Sequence, residues 1–422
     1  MPYQTLEKLF YRDASSDRFA RASSLIAQRL HAESTFRTRI ELRGEELFLA
    51  VPRELSLLNE TILRRERRVS ALWRGLPPVA RGAAILSLIM DEVVYSNDIE
   101  GIHSTRRQVE LALDEIRRDT SALAGAAEKQ HPPFAEFAKL YLELGDEPRQ
   151  PRTLQDIRDI YDSVVRDAID RKDRLDTSLF RPREVVIEDN RGRVVHEGVP
   201  SEQIGPMLEQ WLELSQDDTI PETYRAILCH FLFGYIHPFY DGNGRTGRYL
   251  LSLQLSRPIS EPTVLSLSRT IAENKGAYYK AFDTVERPLN HMEATPFVLA
   301  MLELVAEAQE GLVVDLEDKR SEVERLSGYL GSCELPLGKR EKDVLYYVAQ
   351  MELFHVFGGT ELSRLAKYLG VSAPTARKAT TRLAEEGLLA KTRMRPPTFR
   401  LTEKGLRLLG ITGSARDTRN TE

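Results

Sequence analysis

Apolar positions along this chain recur mainly at helical spacing. Residues 224–236 are an almost unbroken apolar run, as in a buried helix, and after a polar, glycine-rich break Tyr249, Leu250, Leu253 and Leu255 recur as in a second helix. Upstream, residues 6–30 carry spaced Phe10, Phe19, Leu25 and Leu30 and predict surface helices, while 37–50 is β-compatible and predicts a short strand. An amphipathic helix follows over 54–72, with Arg64, Arg65, Arg67 and Arg68 as a solvated charge run. Pro77-Pro78 then opens a long helix with Ile85, Leu88, Ile89 and Val93 on one face, ending near Asn97. Helical patterns return at 106–118, 140–144, 154–168, 265–283 and 295–310, and the small, polar stretch 120–133 predicts a loop.

Two segments break the helical pattern. In 183–200, Val185, Val186 and Ile187 precede Asp189-Asn190-Arg191-Gly192, and Val194 and Val195 follow, which predicts a β-hairpin. The alternating charges of 315–325 predict a linker or an exposed helix. Beyond it come helices at 342–351, 361–369 and 373–386, then short strands at 388–391 and 398–401. The resulting domain plan is an N-terminal helical region (1–112), a core (113–312), a linker (313–335), a C-terminal domain (336–412) and a tail (413–422).

The candidate chemistry lies in the break between the two central helices, His237-Pro238-Phe239-Tyr240-Asp241-Gly242-Asn243-Gly244-Arg245-Thr246-Gly247-Arg248. Gly242 and Gly244 let the backbone bend and bring N–H groups against an anion at a helix N-terminus. Arg245 and Arg248, three apart, share a helical face, and each guanidinium offers a fork to phosphate oxygens. Asp241 is a hard oxygen ligand suited to Mg²⁺ beside substrate phosphates. His237 can take a proton from an attacking hydroxyl. Any one of these residues alone is more readily a cap or a solvated loop residue; twelve residues holding all of them point to a phosphate site.

This stretch resembles the signature of the Fic family, His-x-Phe-x-Asp/Glu-Gly-Asn-Gly/Lys-Arg-x-x-Arg, at every constrained position. The resemblance implies a mainly α protein: an all-helical Fic core with a small β-hairpin flap, which typically moves AMP from ATP to a Ser, Thr or Tyr hydroxyl of a protein, with Mg²⁺. It casts His237 as general base, Asp241 as metal ligand, and Gly242, Asn243, Gly244, Arg245 and Arg248 as the nucleotide-binding set, with Phe239 as an apolar anchor. Ser96-Asn97-Asp98-Ile99-Glu100-Gly101 resembles the family's inhibitory motif, Ser/Thr-x-x-x-Glu-Gly/Asn. In that role Glu100 pairs with Arg248, and Ser96 is the motif's other fixed residue; the plainer alternative is a helix C-terminus closed by Gly101. The hairpin residues Val185, Val186 and Ile187 would pair with a target's backbone. Tyr278-Tyr279 would lie near the nucleotide, although paired aromatics on a helix are as readily core.

The C-terminal elements resemble a winged helix-turn-helix. Residues 371–410 hold nine basic and three acidic residues, a local +6 in a chain of net charge −5. Arg377, Lys378 and Arg382 on the third helix, with Arg393 and Arg395 on the wing, are candidates for DNA contact. The alternative partners are a target protein or a second copy in a homodimer. Composition adds little: 41% hydrophobic and 29% charged residues suit a globular protein, two cysteines make no disulfide framework, and the chain lacks a long apolar stretch, so a cytoplasmic protein without a membrane partner is expected. Three functions follow: an autoinhibited adenylyltransferase acting on a target or on itself, a Fic enzyme transferring another phosphate-bearing group or removing AMP, and a DNA-binding regulator that senses nucleotide. Gly244 favours AMP transfer over the kinase-like branch of the family, which has lysine there.

Overall fold

The computed structural model describes residues 3–119, 132–145, 149–166, 169–175, 178–188, 194–356 and 359–411. The chain forms two compact units, one of Met1–Arg67, Glu92–Ser104 and Pro133–Glu310, the other of Arg68–Asp91, Thr105–Pro132 and Gly311–Glu422. It is mainly helical, with three small antiparallel sheets among the described residues.

The first unit is built on the central helix Glu222–Ile236, whose residues are almost all buried. Such a helix cannot be a surface element, and it packs against both Ser201–Ser215 and Asn243–Leu255. Phe231, Phe282 and Phe297 interlock around it, with the Phe282–Phe297 ring centroids 4.5 Å apart. Of these, Phe231 and Phe297 are fully buried, and each contributes about 1.5–3 kcal/mol through lost water contact. Trp211, also buried, satisfies its indole by donating to the Cys229 carbonyl at 2.8 Å.

The Ser201–Ser215 helix is not anticipated by the periodicity, because Gly205 and Pro206 interrupt a stripe of Ile204, Leu208, Trp211 and Leu212. The single strand expected over 37–50 is a hairpin of Thr35–Leu42 and Glu45–Ala50. The flap hairpin pairs Val186 with Glu197 and Ile187 with His196; its expected turn at 189–192 lies outside the described residues. So do the loop at 120–131 and the tail from 412 onward.

The helix predicted over 295–310 runs on without interruption as Thr295–Ser332, so most of the expected linker is helical. In the second unit its later turns bury Leu312, Leu316, Val323, Leu326 and Leu330. That unit also contains the helices Lys339–Leu353, Leu362–Leu369 and Ala373–Glu385 and a sheet in the order Thr360–Glu361, Pro397–Leu401, Leu389–Met394. Gly370, at φ 63°, closes the Leu362–Leu369 helix in the left-handed conformation that glycine adopts without a Cβ penalty. Val344, Leu345, Val348, Leu365, Ala376, Leu383 and Phe399 form its core.

Candidate active site

The elbow between Glu222–Ile236 and Asn243–Leu255 is held by its own side chains. Asn243 accepts from the Phe239 N–H at 2.9 Å and donates to the Phe239 carbonyl at 2.8 Å, so both ends of its amide lock the loop. What Asn243 retains for an anion is its main-chain N–H in the first helical turn, where N–H groups lack intrahelical partners. Phe239 is fully buried and stacks on Tyr161 with ring centroids 3.6 Å apart. Gly242 has φ 83°, and a Cβ there would overlap the Val165 side chain, so the loop passes where no other residue fits.

His237 ends the first helix in the left-handed region, at φ 51° and ψ 61°, an uncommon conformation for a residue with a side chain. An interaction with the Gly234 backbone favours the charged ring, but it is the weakest influence on it. Burial first, then the charges of His196 and Arg181, hold the imidazole far below its usual value, near 3, so at neutral pH it is a base with a free lone pair. His196, on the flap, sets its ring nitrogens 2.8 Å from the Glu286 carboxylate and 2.8 Å from the Tyr235 carbonyl, two residues before His237.

Arg181 is a site residue that the sequence pattern does not reveal. Fully buried, it donates to the carbonyls of His237 at 2.8 Å, Arg183 at 2.8 Å and Val199 at 2.6 Å, tying the flap's base to the motif loop. A Cβ on Gly198 would meet its guanidinium at 2.5 Å. Its only sequence signal is one of two arginines flanking Pro182 in an irregular segment.

Asp241 accepts from the Gly242 N–H at 2.6 Å and pairs at 3.4 Å with Arg245, itself fully buried. Its side chain is 43% exposed. One exposed carboxylate beside a glycine-rich turn at a helix N-terminus is a donor of the kind Mg²⁺ takes, since that ion needs one or two carboxylates and draws its other oxygens from phosphates and water.

Arg248 is 2% exposed and fully engaged. Nη1 donates to Glu100 at 2.7 Å, Nε to the Ser96 hydroxyl at 3.1 Å, and Nη2 to the Ser96 carbonyl at 2.7 Å. Burial, the largest single influence, would lower its pKa; the Glu100 charge and hydrogen bond, together with Tyr278 and Tyr279, outweigh it and raise the value. Gly244 permits the approach, since a Cβ there would overlap the Glu100 carboxylate. The helix Pro78–Ile99 that presents Ser96 is anchored one turn earlier by buried Glu92, which accepts from the Ser268 N–H at 3.0 Å, the Ser268 hydroxyl at 2.6 Å and the Tyr141 hydroxyl at 3.1 Å. Lys275 donates to the Ile99 carbonyl at that helix's C-terminus, where the dipole favours a cation.

The two tyrosines divide. Tyr278 is buried and donates to His230 at 2.8 Å, whose other nitrogen meets the Gly247 carbonyl at 3.0 Å. Tyr279 is 44% exposed, with the Lys275 ammonium 5.9 Å from its ring. On the flap, Val186 is 52% exposed while Val185 and Ile187 are half-buried. In the second unit Arg377, Lys378, Arg382 and Arg395 are exposed and Arg393 is half-buried. Arg382 also donates to the Pro336 carbonyl at 2.7 Å.

Comparison with known proteins bears on the family and the fold. Residues 151–255 match the Fic/DOC family, so the chain carries a Fic/DOC family domain. A crystal structure of a Fic family protein from Desulfovibrio desulfuricans G20 superposes with a TM-score of 0.50 at 20% identity, covering 84% of this chain and 98% of that one. Protein adenylyltransferase Fic of Drosophila grimshawi is 39% identical over 57 residues, 14% of this chain and 12% of its own length. Protein adenylyltransferase fic-1 of Caenorhabditis elegans is 34% identical over 88 residues, 21% of this chain and 16% of its own. The matched stretches thus span well under a quarter of those relatives. Among the described residues, no helix is long and apolar enough to cross a membrane.

Proposed function

We propose that this chain is an ATP-dependent protein adenylyltransferase held at rest by Glu100. The observation that carries the reading is the complete engagement of Arg248 by Ser96 and Glu100, in a motif that opens on a neutral, buried His237. A target hydroxyl, aligned by strand pairing along the flap residues Val185, Val186 and Ile187, gives its proton to His237 as its oxygen bonds to the α-phosphorus of ATP. The bond from that phosphorus to the bridging oxygen breaks, and diphosphate leaves into the cradle of main-chain N–H groups at residues 242–244, with Arg245 and Arg248 beside it. Asp241 would hold Mg²⁺, which when bound adds positive charge beside the leaving diphosphate. While Glu100 occupies Arg248, the terminal phosphate lacks its fork, and ATP settles out of line for attack. Incubation with ATP labelled at the α-phosphate tests this: label transferred to the chain itself or to a lysate protein, and increased by Glu100→Gly, is the expected result. Label retained from the γ-phosphate instead would replace AMP transfer with phosphoryl transfer.

A second activity belongs to the C-terminal domain, read as a winged helix-turn-helix. The exposed Arg377, Lys378 and Arg395 in a locally basic, otherwise acidic chain favour DNA phosphates as its partner over a protein docking face.

A further inference from the structure

Beneath the motif loop, in the helix Leu154–Val165, lies a residue with no part in the motif. Tyr161 is 1% exposed, stacks on Phe239 at an interplanar angle of 11°, and sets its ring edge 3.3 Å from where a Gly242 Cβ would stand. Packing alone would be served equally by phenylalanine. Yet the residue carries a hydroxyl, and that oxygen is buried with no hydrogen-bond partner among the described residues. A buried hydroxyl without a partner is costly, and such groups in folded proteins call for an explanation: an internal water, or a ligand that completes them. The surroundings indicate which. Arg245 Nη2 lies 3.5 Å from the same Gly242 Cβ position that the Tyr161 ring edge meets at 3.3 Å, so the ring and a cradle guanidinium converge on one point of the loop; of the charges acting on the hydroxyl, Asp241 comes first, then Arg158, Asp162 and Arg245.

Resting on the nucleotide-transfer reading, we infer that Tyr161 is a further ligand-binding residue, whose hydroxyl donates to an oxygen of the diphosphate portion of the nucleotide when that portion settles against the loop. The hydroxyl stays protonated at any working pH, because burial raises its pKa, and it can therefore only act as a neutral donor toward an anion. The stacking of its ring on Phe239 fixes the donor's position, so little rotamer entropy is lost on binding.

Tyr161→Phe preserves the stacked ring and removes only the donor. In the full chain carrying Glu100→Gly, affinity for inorganic pyrophosphate is measured by calorimetry in EDTA, and affinity for ATP with and without Mg²⁺, beside the melting temperature without ligand. The expected result is a loss of about tenfold in affinity for both, with or without Mg²⁺, and a ligand-free melting temperature equal to or above that of the parent. Unchanged affinity overturns the inference. A lowered ligand-free melting temperature also overturns it, since the hydroxyl would then serve the fold through an internal water. If the Glu100→Gly parent binds neither ATP nor pyrophosphate, the nucleotide-transfer reading falls and this inference with it; a parent that binds, beside an unaffected Tyr161→Phe, sinks this inference alone.

Discussion

Two sets of arginines in this chain have the same chemistry and opposite circumstances. Arg245 and Arg248 at the elbow are 0% and 2% exposed, whereas Arg377, Arg382 and Arg395 in the C-terminal domain face solvent. A buried guanidinium must have acceptors at fixed positions, because an unpaired buried charge costs several kcal/mol. Arg248 therefore comes with Glu100 and Ser96 already in place, and any phosphate that takes it must displace them. An exposed guanidinium is hydrated whether or not a ligand arrives, so it imposes no geometry and is tuned by salt. The elbow should accordingly respond to single substitutions in an all-or-none way, and the C-terminal face by degrees.

The sharpest break comes at His237. Replacing it with Ala removes the proton acceptor and should lower AMP transfer by about two to four orders of magnitude, while ATP affinity stays within about twofold. Transfer at the parental rate would return His237 to the role of a helix cap. Next in size is Glu100→Gly, expected to raise labelling at least about tenfold by freeing Arg248 for the terminal phosphate. The same change leaves Arg248 with Ser96 alone, so the ligand-free melting temperature should fall and ATP should restore more of it than in the parent. Arg248→Ala on top of Glu100→Gly should cancel the gain in labelling. Equal labelling by parent and Glu100→Gly would remove the inhibitory role.

The elbow is legible from sequence because its residue types stand at fixed spacing: a histidine, a carboxylate four residues on, glycines, and arginines three apart. Glu100 is less so, since its motif is short and gains meaning only from the geometry that brings it 2.7 Å from Arg248. Arg181 and Tyr161 act through contacts distant in sequence, and neither lies in a pattern that periodicity detects. Glu92 left a usable signal, a carboxylate beside Ile89 and Val93 on a buried face. The stripe of Leu312, Leu316, Val323, Leu326 and Leu330 is at helical spacing, but the dense charges between those residues pointed to a linker or an exposed helix rather than one with a buried face. Charge density describes the solvated face of a helix and says little about the face opposite.

The elbow's buried histidines give a smaller, graded effect. His230 is held far below its usual value, to about 3, first by burial and then by the Arg248 charge. Its unfolded value is about 6.5, so below that pH the unfolded chain takes up a proton that the folded chain refuses. Stability that is full above about pH 6.5 should therefore fall with acid, by about 1.4 kcal/mol per pH unit for this group, until the folded pKa is reached. Denaturant unfolding at pH 7, 6 and 5 measures the slope. In His230→Phe the slope should flatten by about one proton even if the variant is less stable throughout; an unchanged slope would mean that the ring charges without unfolding.

The gentlest effect belongs to the exposed set, and it separates the two kinds of arginine most directly. Each phosphate neutralised by a surface cation releases condensed counterions, so duplex DNA binding by the full chain should weaken with salt at a log–log slope of roughly −0.9 per contact. Changing Arg393 and Arg395 to Ala should flatten that slope by up to about two units, and Arg377→Ala by about one, with AMP transfer unaltered. Arg382 should count for less than Arg377, because its guanidinium already donates to the Pro336 carbonyl. A protein docking face would behave differently: these substitutions would leave the weak, salt-sensitive attraction to random duplex unchanged and shift a partner's off-rate instead. If the full chain shows no affinity for a random-sequence duplex pool at low salt, the DNA partner is lost, and the basic face becomes a surface for protein.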